Sequence, residues 1–168
     1  CAPRVPLKKV QRAILDLILA KMPAHPAAHG FIKDRSTVSN ASPHVGASVV
    51  IRIDIENFFP TIHYRRVFGF FFAHYGEEVA KYLAQLTTHR PKLSDGTVAW
   101  PGALPQGAPT SPAIANLVCR RLDSRLEALA KKASANYTRY ADDLTFSFRD
   151  PPAKIGRFLW WVNAILQQ

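Results

Sequence analysis

The sequence predicts an α+β fold, because it combines segments of helical periodicity with short segments typical of strands. Apolar residues recur at helical spacing from Leu7 to Met22 and from Glu77 to Thr88. Val49–Ile55 is short and rich in β-branched residues, and two further strands are predicted at Asn136–Tyr140 and Leu144–Arg149. We therefore expect a small antiparallel sheet with packed helices.

Length and composition indicate one folded domain. The chain has 168 residues, of which 48% are hydrophobic and 20% are charged, unlike a disordered chain. Its apolar stretches are far shorter than the ~18 residues that cross a bilayer, and no secretory leader opens the sequence. Two cysteines, Cys1 and Cys119, are too few for a disulfide framework. We expect a soluble cytoplasmic protein with no membrane partner.

The chain is strongly basic, and the charge is evenly distributed. It carries 22 Lys and Arg against 12 Asp and Glu, a formal net charge of +10. Each half holds 11 of these cations and 6 of these acids, so the excess is not confined to a tail. A distributed basic excess favours a polyanionic partner, most often a nucleic acid. A generic basic surface explains the charge equally well.

In the first part of the chain, the predicted helix begins near Leu7 and ends before Pro23. The following segment, Ala24–Gly46, is mainly loop, with a short helix at Ser36–Ala41. Val49–Ile55 is then predicted to be a buried strand whose one face is broken by Arg52 and Asp54.

Two helices follow this strand, one from Thr61 or His63 to Tyr75 and the other over Glu77–Thr88. Lys92–Trp100 contains a Ser-Asp-Gly turn signal that would join two short strands. After a loop rich in Pro and Gly, Pro112 is well suited to the first turn of a helix that continues to about Lys132.

A tight hairpin is predicted next, because only Ala141–Asp143 separates two strands. In the second of them, Leu144, Phe146 and Phe148 alternate with polar residues, which is typical of a half-buried strand. The last helix begins after Asp150–Pro152 and continues to the end of the sequence.

Three acids occupy positions where free carboxylates are costly. Asp54 ends an apolar strand, and Asp142 and Asp143 are adjacent at the tip of the hairpin. A divalent cation would neutralise such neighbouring carboxylates, and Mg²⁺ prefers hard oxygen ligands. If Asp54 and Asp142 meet on neighbouring strands, they could hold two ions about 3.5–4 Å apart. On spacing alone, an ordinary turn and a strand-end acid explain these residues better.

Three segments resemble the central motifs of reverse transcriptases, in the order and at the spacing of that family. They are Ile53–Pro60, Leu104–Pro112 and Tyr140–Leu144. Further features are similar to the bacterial retron branch, namely His29–Phe31, Arg35–Ser36, Asn40–Ala41, His44–Gly46 and Ala108–Pro112. The resemblance covers nearly the whole chain.

This resemblance implies a right-hand polymerase architecture with fingers and palm. The fingers would comprise about 1–48 and part of 77–103, and the palm about 49–76 and 104–168, with the chain truncated before the thumb. The implied activity is RNA-templated synthesis of DNA from dNTPs with two Mg²⁺ ions, for which Mn²⁺ is a possible substitute. The implied partners are an RNA template, a DNA or RNA primer, a cognate noncoding RNA and a retron effector protein, with antiphage defence as the biological role.

The resemblance also assigns roles at the metal site. Asp54, Asp142 and Asp143 would be the catalytic aspartates, with Asp54 and Asp142 the firmer metal ligands and Asp143 more peripheral. The backbone of Ile55 would lie beside the metals and the triphosphate.

Other residues would contact the nucleotide or the nucleic acid. Phe59 would be the steric gate that excludes the 2′-hydroxyl, although a core aromatic is the ordinary interpretation. Gln106 and Gly107 would shape the nucleotide pocket, or simply form a turn. Lys33 and, with preference, Arg35 would reach the triphosphate, or lie in solvent on a loop. A template or primer contact is possible for Arg120, Arg121 and Arg125, although a solvated helix face is the ordinary interpretation, and Tyr140 is a further candidate.

The sequence begins at Cys1 and ends in a helix soon after the aspartate hairpin, whereas family members continue into a thumb. Two alternatives therefore stay open, a noncatalytic nucleic-acid-binding domain and an inactive truncated polymerase fragment. A polymerase that uses ribonucleotides is disfavoured by Phe59.

Overall fold

The computed structural model describes residues 3–91, 95–98, 101–152 and 154–167. They form two compact units. The first unit contains the residues up to Pro23 together with Asn57–Val118, and the second contains Ala24–Glu56 together with the residues from Cys119 onward. The predicted division into fingers and palm stays a prediction, since these units reflect only which segments pack together.

The described residues contain helices and one sheet, which confirms the α+β class. The α-helices are α1 (Val5–Leu17), α2 (Thr37–Ala41), α3 (Phe58–Thr61), α4 (Tyr64–Tyr75), α5 (Glu77–Thr87), α6 (Ser111–Val118), α7 (Arg120–Lys132) and α8 (Ile155–Leu166). The strands are β1 (Val49–Asp54), β2 (Ala135–Tyr140) and β3 (Asp143–Phe148), and short 3₁₀ helices span Leu19–Lys21 and Ser42–His44. None of the described helices has both the length and the apolar character needed to cross a membrane.

In the first unit, α4 packs against α5 through residues at helical spacing. Val67 and Phe71 of α4 are buried, as are Ala80 and Ala84 of α5. In each helix the two buried residues are four positions apart, so they lie on one face of that helix.

Most predicted helices are present, with two corrections in this part of the chain. The helix expected from Pro112 to about Lys132 is two helices, α6 and α7, because the backbone at Cys119 leaves helical geometry at ψ −4°. The helix α3 was not predicted, since four residues are too few to show a period. Of the predicted strands in Lys92–Trp100, residues 92–94 and 99–100 lie outside the described residues.

The sheet belongs to the second unit and has the order β1-β3-β2, with both neighbouring pairs antiparallel. Val49–Ile55 was predicted to be a buried strand with one face broken by Arg52 and Asp54. The strand β1 is only half-buried: Arg52 and Asp54 lie on its exposed face, as predicted, whereas Ile51 and Ile53 on the other face pack against the core. The buried strand is β3, which has a partner on each side. The predicted tight hairpin is confirmed, as β2 and β3 are joined by two residues.

One face of the sheet forms the core of the second unit. Leu144, Phe146 and Phe148 of β3 are fully buried against helices α7 and α8. The ring of Phe158 on α8 meets the rings of Phe146 and Phe148 edge-on, with centroids 5.2 Å apart in each case. Burial of each such phenylalanine contributes about 1.5–3 kcal/mol, so these helices fix the position of the hairpin.

Candidate active site

The three predicted catalytic acids lie at one end of the sheet. Asp54 ends β1 and is paired in register with Asp143, the first residue of β3. The Ile55 N–H donates a hydrogen bond to the Asp142 carbonyl oxygen at 3.1 Å, which holds the hairpin turn beside the end of β1. Residues paired across antiparallel strands have side chains on the same face, so Asp54 and Asp143 share the solvent-facing side of the sheet.

The turn between β2 and β3 is tight and strained. Tyr140 and Asp143 are paired, which leaves only Ala141 and Asp142 to reverse the chain. Ala141 has φ +56°, a left-handed conformation that residues other than glycine adopt only when their surroundings impose it. Such strained positions cluster at functional sites, and here the strain lies directly before Asp142.

The surroundings of the turn include a close backbone contact. Gly30 lies against the turn, and a Cβ added at this glycine would be only 2.5 Å from the Ala141 nitrogen. No side chain fits that gap. Gly30 is therefore required by the approach of its loop to the hairpin.

The loop that contains Gly30 runs along β2. The His29 N–H donates to the Arg139 carbonyl at 2.7 Å, and the Arg139 N–H donates to the Ala27 carbonyl at 2.7 Å. Arg35 reinforces the loop, since its Nη1 donates to the carbonyls of Pro26 and Ala28, the latter at 2.5 Å. The predicted triphosphate ligand Arg35 thus holds the loop in place, whereas Lys33 is exposed on the same segment.

The three acids differ in their partners. Asp143 forms an ion pair with Arg52, whose Nη2 donates to both carboxylate oxygens at 2.9 and 3.0 Å. Among the residues described here, neither Asp54 nor Asp142 has an ion-pair partner. Asp54 is exposed and Asp142 is half-buried. The more peripheral role expected for Asp143 stays a prediction.

The donor set suits a hard divalent cation. Mg²⁺ commonly takes one or two protein carboxylates and completes its octahedron with water and substrate phosphates. Asp54 and Asp142 supply that number. Among the described residues, no group of three or more His, Cys, Asp or Glu is placed so that it could hold a metal ion, so the three acids do not form a complete cation site by themselves. Water and substrate phosphates would have to supply the remaining oxygen ligands.

Three predicted nucleotide contacts lie in the first unit. Phe59 is half-buried on α3, with its ring centroid 5.4 Å from that of Phe58. Gln106 and Gly107 are exposed, and Gly107 has φ +89°, which explains the glycine at this turn. Their roles toward a nucleotide stay predictions.

The predicted nucleic-acid contacts lie in the second unit. Arg120 and Arg121 are exposed in the first turn of α7, and Arg125 is half-buried one turn later. Tyr140 is half-buried on the same face of the sheet as Asp143. Their roles toward a template or primer stay predictions as well.

The sequence analysis missed a buried ion pair beneath the turn. Arg139 Nε and Nη2 donate to the two carboxylate oxygens of Asp123, each at 2.8 Å, and both side chains are 0% exposed. The Tyr137 hydroxyl donates to Asp123 as well, at 2.8 Å. One signal was present in the sequence, because Asp123 lies in phase with Leu126 and Ala130 on the buried side of α7.

Burial governs the protonation of this cluster. Desolvation by itself lowers the pKa of Arg139, but the hydrogen bonds and charge of Asp123 outweigh it, so that the pKa is raised and the guanidinium stays charged. Desolvation, together with the Asp123 carboxylate, raises the pKa of Tyr137 well above its ordinary value. The Arg139 guanidinium therefore stays charged beside Asp123, and Tyr137 donates to the Asp123 carboxylate as a neutral phenol.

His44 is a second polar residue that the sequence analysis did not assign. Its Nδ1 lies 2.7 Å from the Ser147 hydroxyl and its Nε2 lies 2.8 Å from the Thr138 hydroxyl, so it bridges β2 and β3 on the side opposite the phenylalanines. Burial lowers the pKa of His44, which keeps the ring neutral. This histidine closes the end of the polar face that lies away from the acids.

Comparison with known proteins identifies the class. A family model described as reverse transcriptase (RNA-dependent DNA polymerase) matches residues 1–167. The chain therefore belongs to the reverse transcriptase family.

Individual relatives then show which branch of this family the chain resembles. Retron Mx65 reverse transcriptase of Myxococcus xanthus is 46% identical over 160 residues, which are 90% of this chain and 38% of that protein. Retron Mx162 reverse transcriptase of the same organism is 44% identical over 155 residues, 88% of this chain and 32% of that protein. Retron Ec86 reverse transcriptase of Escherichia coli is 39% identical over 146 residues, 86% of this chain and 42% of that protein. The resemblance to the retron branch is confirmed, and the chain spans about a third to two fifths of the length of these relatives.

Proposed function

We propose that this chain carries the catalytic acids of a retron-type RNA-directed DNA polymerase. The observation that supports this most is the position of Asp54, Asp142 and Asp143 at the same end of one sheet. The protein would copy a structured noncoding RNA into single-stranded DNA from dNTPs, with two Mg²⁺ ions or Mn²⁺ in their place. A retron effector protein would be a further partner, with antiphage defence as the biological role.

The chain's own residues would position the reacting groups. Asp54 and Asp142 would hold the divalent ions, with the Ile55 backbone beside them, and Asp143 would support the site from its ion pair with Arg52. When bound, such ions would lower the pKa of the primer hydroxyl and neutralise charge on the transferring phosphoryl group and leaving pyrophosphate. No protein nucleophile is needed, since the primer supplies it.

The charge distribution supports a nucleic-acid substrate. With three of the 12 acids assigned to the metal site, the remainder of the chain carries 22 Lys and Arg against nine Asp and Glu. Attraction to a phosphate backbone makes binding depend strongly on salt. Arg120 and Arg121 are exposed cations that would contribute to it.

Primer extension on an RNA template with Mg²⁺ tests the proposed activity. The double variant Asp142→Ala with Asp143→Ala should lose about 10³-fold or more in dNTP incorporation, since metal stabilisation is worth several kcal/mol. Asp150→Ala, an exposed acid beyond the other end of β3, is the matched control and should incorporate like the wild type.

Two results would contradict the proposal. Incorporation that persists in the double variant would remove the aspartates from catalysis. RNA binding by the wild-type chain without any incorporation would instead favour the noncatalytic nucleic-acid-binding domain or an inactive fragment.

The proposed steric gate has its own test. Phe59→Val should weaken the preference for dNTPs over rNTPs by about 10–100-fold, because a smaller side chain leaves room for the 2′-hydroxyl. Phe72→Val removes an exposed aromatic ring from α4 and should leave the preference unchanged. An unaltered preference in Phe59→Val would exclude this residue as the gate.

A further inference from the structure

Arg139 is a cation on the apolar face of the sheet. It alternates along β2 with residues of the polar face and is paired in register with Leu144, so its side chain shares a face with Leu144 and with Tyr137. That face packs against α7 and α8, and Arg139 is fully buried there. A charged group at such a position needs a specific reason.

Stability alone does not supply that reason. Replacement of a buried ion pair by apolar residues of similar volume is often neutral or even stabilising, because desolvation of two charges offsets their attraction. Asp123 and Arg139 could thus be exchanged for apolar side chains without loss of the core that surrounds them. The pair must be judged by what else its members contact.

Arg139 makes one contact that leads out of the core to the acids. While Nε and Nη2 hold Asp123, the remaining terminal nitrogen Nη1 donates to the Ala141 carbonyl oxygen at 2.9 Å. Ala141 is the residue in the left-handed conformation, and it directly precedes Asp142. The guanidinium therefore joins a helix of the core to the strained residue of the turn.

The turn is fixed from three directions. Arg139 holds the Ala141 carbonyl, the Ile55 N–H holds the Asp142 carbonyl at 3.1 Å, and the backbone of Gly30 lies against the Ala141 nitrogen. Asp123 orients the planar guanidinium by two parallel hydrogen bonds, which a lysine could not reproduce.

We propose that Arg139, oriented by Asp123, is a positioning residue that fixes the Ala141–Asp142 turn and thereby the Asp142 carboxylate for a divalent cation. This inference rests on the proposed function for its metal. Groups that orient a metal ligand from behind typically change metal affinity by about 10–100-fold when they are removed.

A variant without buried charge tests the proposal. The apolar triple variant Asp123→Leu, Tyr137→Phe and Arg139→Met removes the whole polar cluster, so that chiefly the Ala141 carbonyl loses its donor. The matched control is Glu127→Gln with Lys131→Met, which removes an exposed ion pair from the same helix, with Nζ and Oε2 2.7 Å apart. Arg139→Lys keeps a cation beside Asp123 but loses the planar guanidinium with its two parallel hydrogen bonds. If the triple variant does not fold, Arg139→Lys replaces it in the measurements below.

Two measurements distinguish positioning from a structural role. Hydrogen exchange of the Ile55 amide reports on the turn without any metal, and electron paramagnetic resonance of added Mn²⁺ reports on the carboxylates. In the triple variant we expect wild-type unfolding in denaturant, Ile55 exchange about tenfold faster and Mn²⁺ affinity about 10–100-fold weaker. The control pair should change neither. Ile55 exchange or Mn²⁺ affinity at the wild-type value in the triple variant would overturn the proposal.

Asp142→Asn separates this inference from the proposed function. If the wild type binds Mn²⁺ and Asp142→Asn does not, the metal site stands and the triple variant tests Arg139 alone. If the wild type does not bind Mn²⁺, or if Asp142→Asn binds it equally well, the proposed metal site fails. The exchange rate of Ile55 then still decides whether Arg139 fixes the turn.

Discussion

Each face of the three-stranded sheet carries an ion pair between an arginine and an aspartate, and one pair is buried whereas the other is exposed. On the apolar face, Arg139 and Asp123 are both 0% exposed, whereas on the polar face the side chains of Arg52 and Asp143 are 67% and 35% exposed. In water such a pair contributes little, because solvent screens it and the side chains must be ordered. In the core the same pair cannot lose one member without leaving an unpaired charge. Burial, and not the residue types, decides in which pair the loss of a single partner is costly.

The loss of one buried partner should produce the largest effect on stability. Asp123→Asn removes the carboxylate that pairs with Arg139 in the core, and the guanidinium stays charged because arginine does not deprotonate in proteins. We expect the free energy of unfolding to fall by about 3–5 kcal/mol, measured by urea denaturation. Glu127→Gln, which breaks an exposed pair on the same helix, should change it by less than about 0.5 kcal/mol. Equal losses in the two variants would refute the contrast between buried and exposed pairs.

The contact between Gly30 and the turn should give the next largest effect. Gly30→Ala places a Cβ 2.5 Å from the Ala141 nitrogen, so the backbone must move. Such overpacking costs about 1–3 kcal/mol and should displace the turn that carries Asp142. Gly156→Ala on α8 has no neighbour within 4 Å of the new Cβ and should stabilise the protein by about 0.5–1 kcal/mol. Chemical denaturation of both variants checks the signs, and a stable Gly30→Ala protein would contradict the close approach.

We expect the free energy of unfolding to depend on pH through His44 and His29. Burial lowers the pKa of His44, and burial together with the charges of Arg35 and His44 lowers the pKa of His29. Below about pH 6.5 the unfolded chain therefore binds more protons than the folded chain. The contribution of these histidines to the free energy of unfolding is fully present above that pH. It falls on acidification, by up to ~1.4 kcal/mol per pH unit for each proton.

The variant His44→Asn separates the two histidines. It should flatten the dependence of unfolding free energy on pH between 7.5 and 5.5, while the share of His29 remains. The slope can be measured by denaturation at several pH values. If the unfolding free energy of His44→Asn depends on pH as steeply as that of the wild type, the protonation of His44 is not coupled to folding.

The exposed pair should give the smallest effect. Arg52→Gln and Asp143→Asn, combined in a double-mutant cycle, should show a coupling below about 1 kcal/mol that shrinks further as salt is added. A coupling of more than about 2 kcal/mol, insensitive to salt, would place this pair in the same category as the buried one. Thermal unfolding in low and high NaCl measures it.

Much of the fold could be predicted from local pattern. The hairpin followed from alternation in Leu144, Phe146 and Phe148, and the helices followed from apolar periodicity, since both patterns reflect burial on one side. The burial of Val49–Ile55 was overestimated, because a run of β-branched residues does not reveal how completely the rest of the chain covers each face of the strand. In the assembled unit, Ile51 and Ile53 pack against the core and the face that carries Arg52 and Asp54 is exposed.

The residues of the candidate site divide in the same way. The sequence motifs identified Asp54, Asp142 and Asp143 as candidate catalytic residues. The same motifs indicated the family of the chain. Asp123 and Arg139 were missed, although Arg139 directly precedes the motif Tyr140–Leu144, because the two residues meet only when α7 packs on β2.

The sequence by itself determined the family, the α+β class and the position of Asp54 at the end of its strand, because short motifs and side-chain periods are local properties. Only the tertiary structure decided that Asp54 faces Asp143 and that Arg139 reaches both Asp123 and Ala141. It also decided that Gly30 lies against the turn. These are contacts between segments distant in sequence or between a side chain and a strained backbone, and their energies exist only once the core has excluded water.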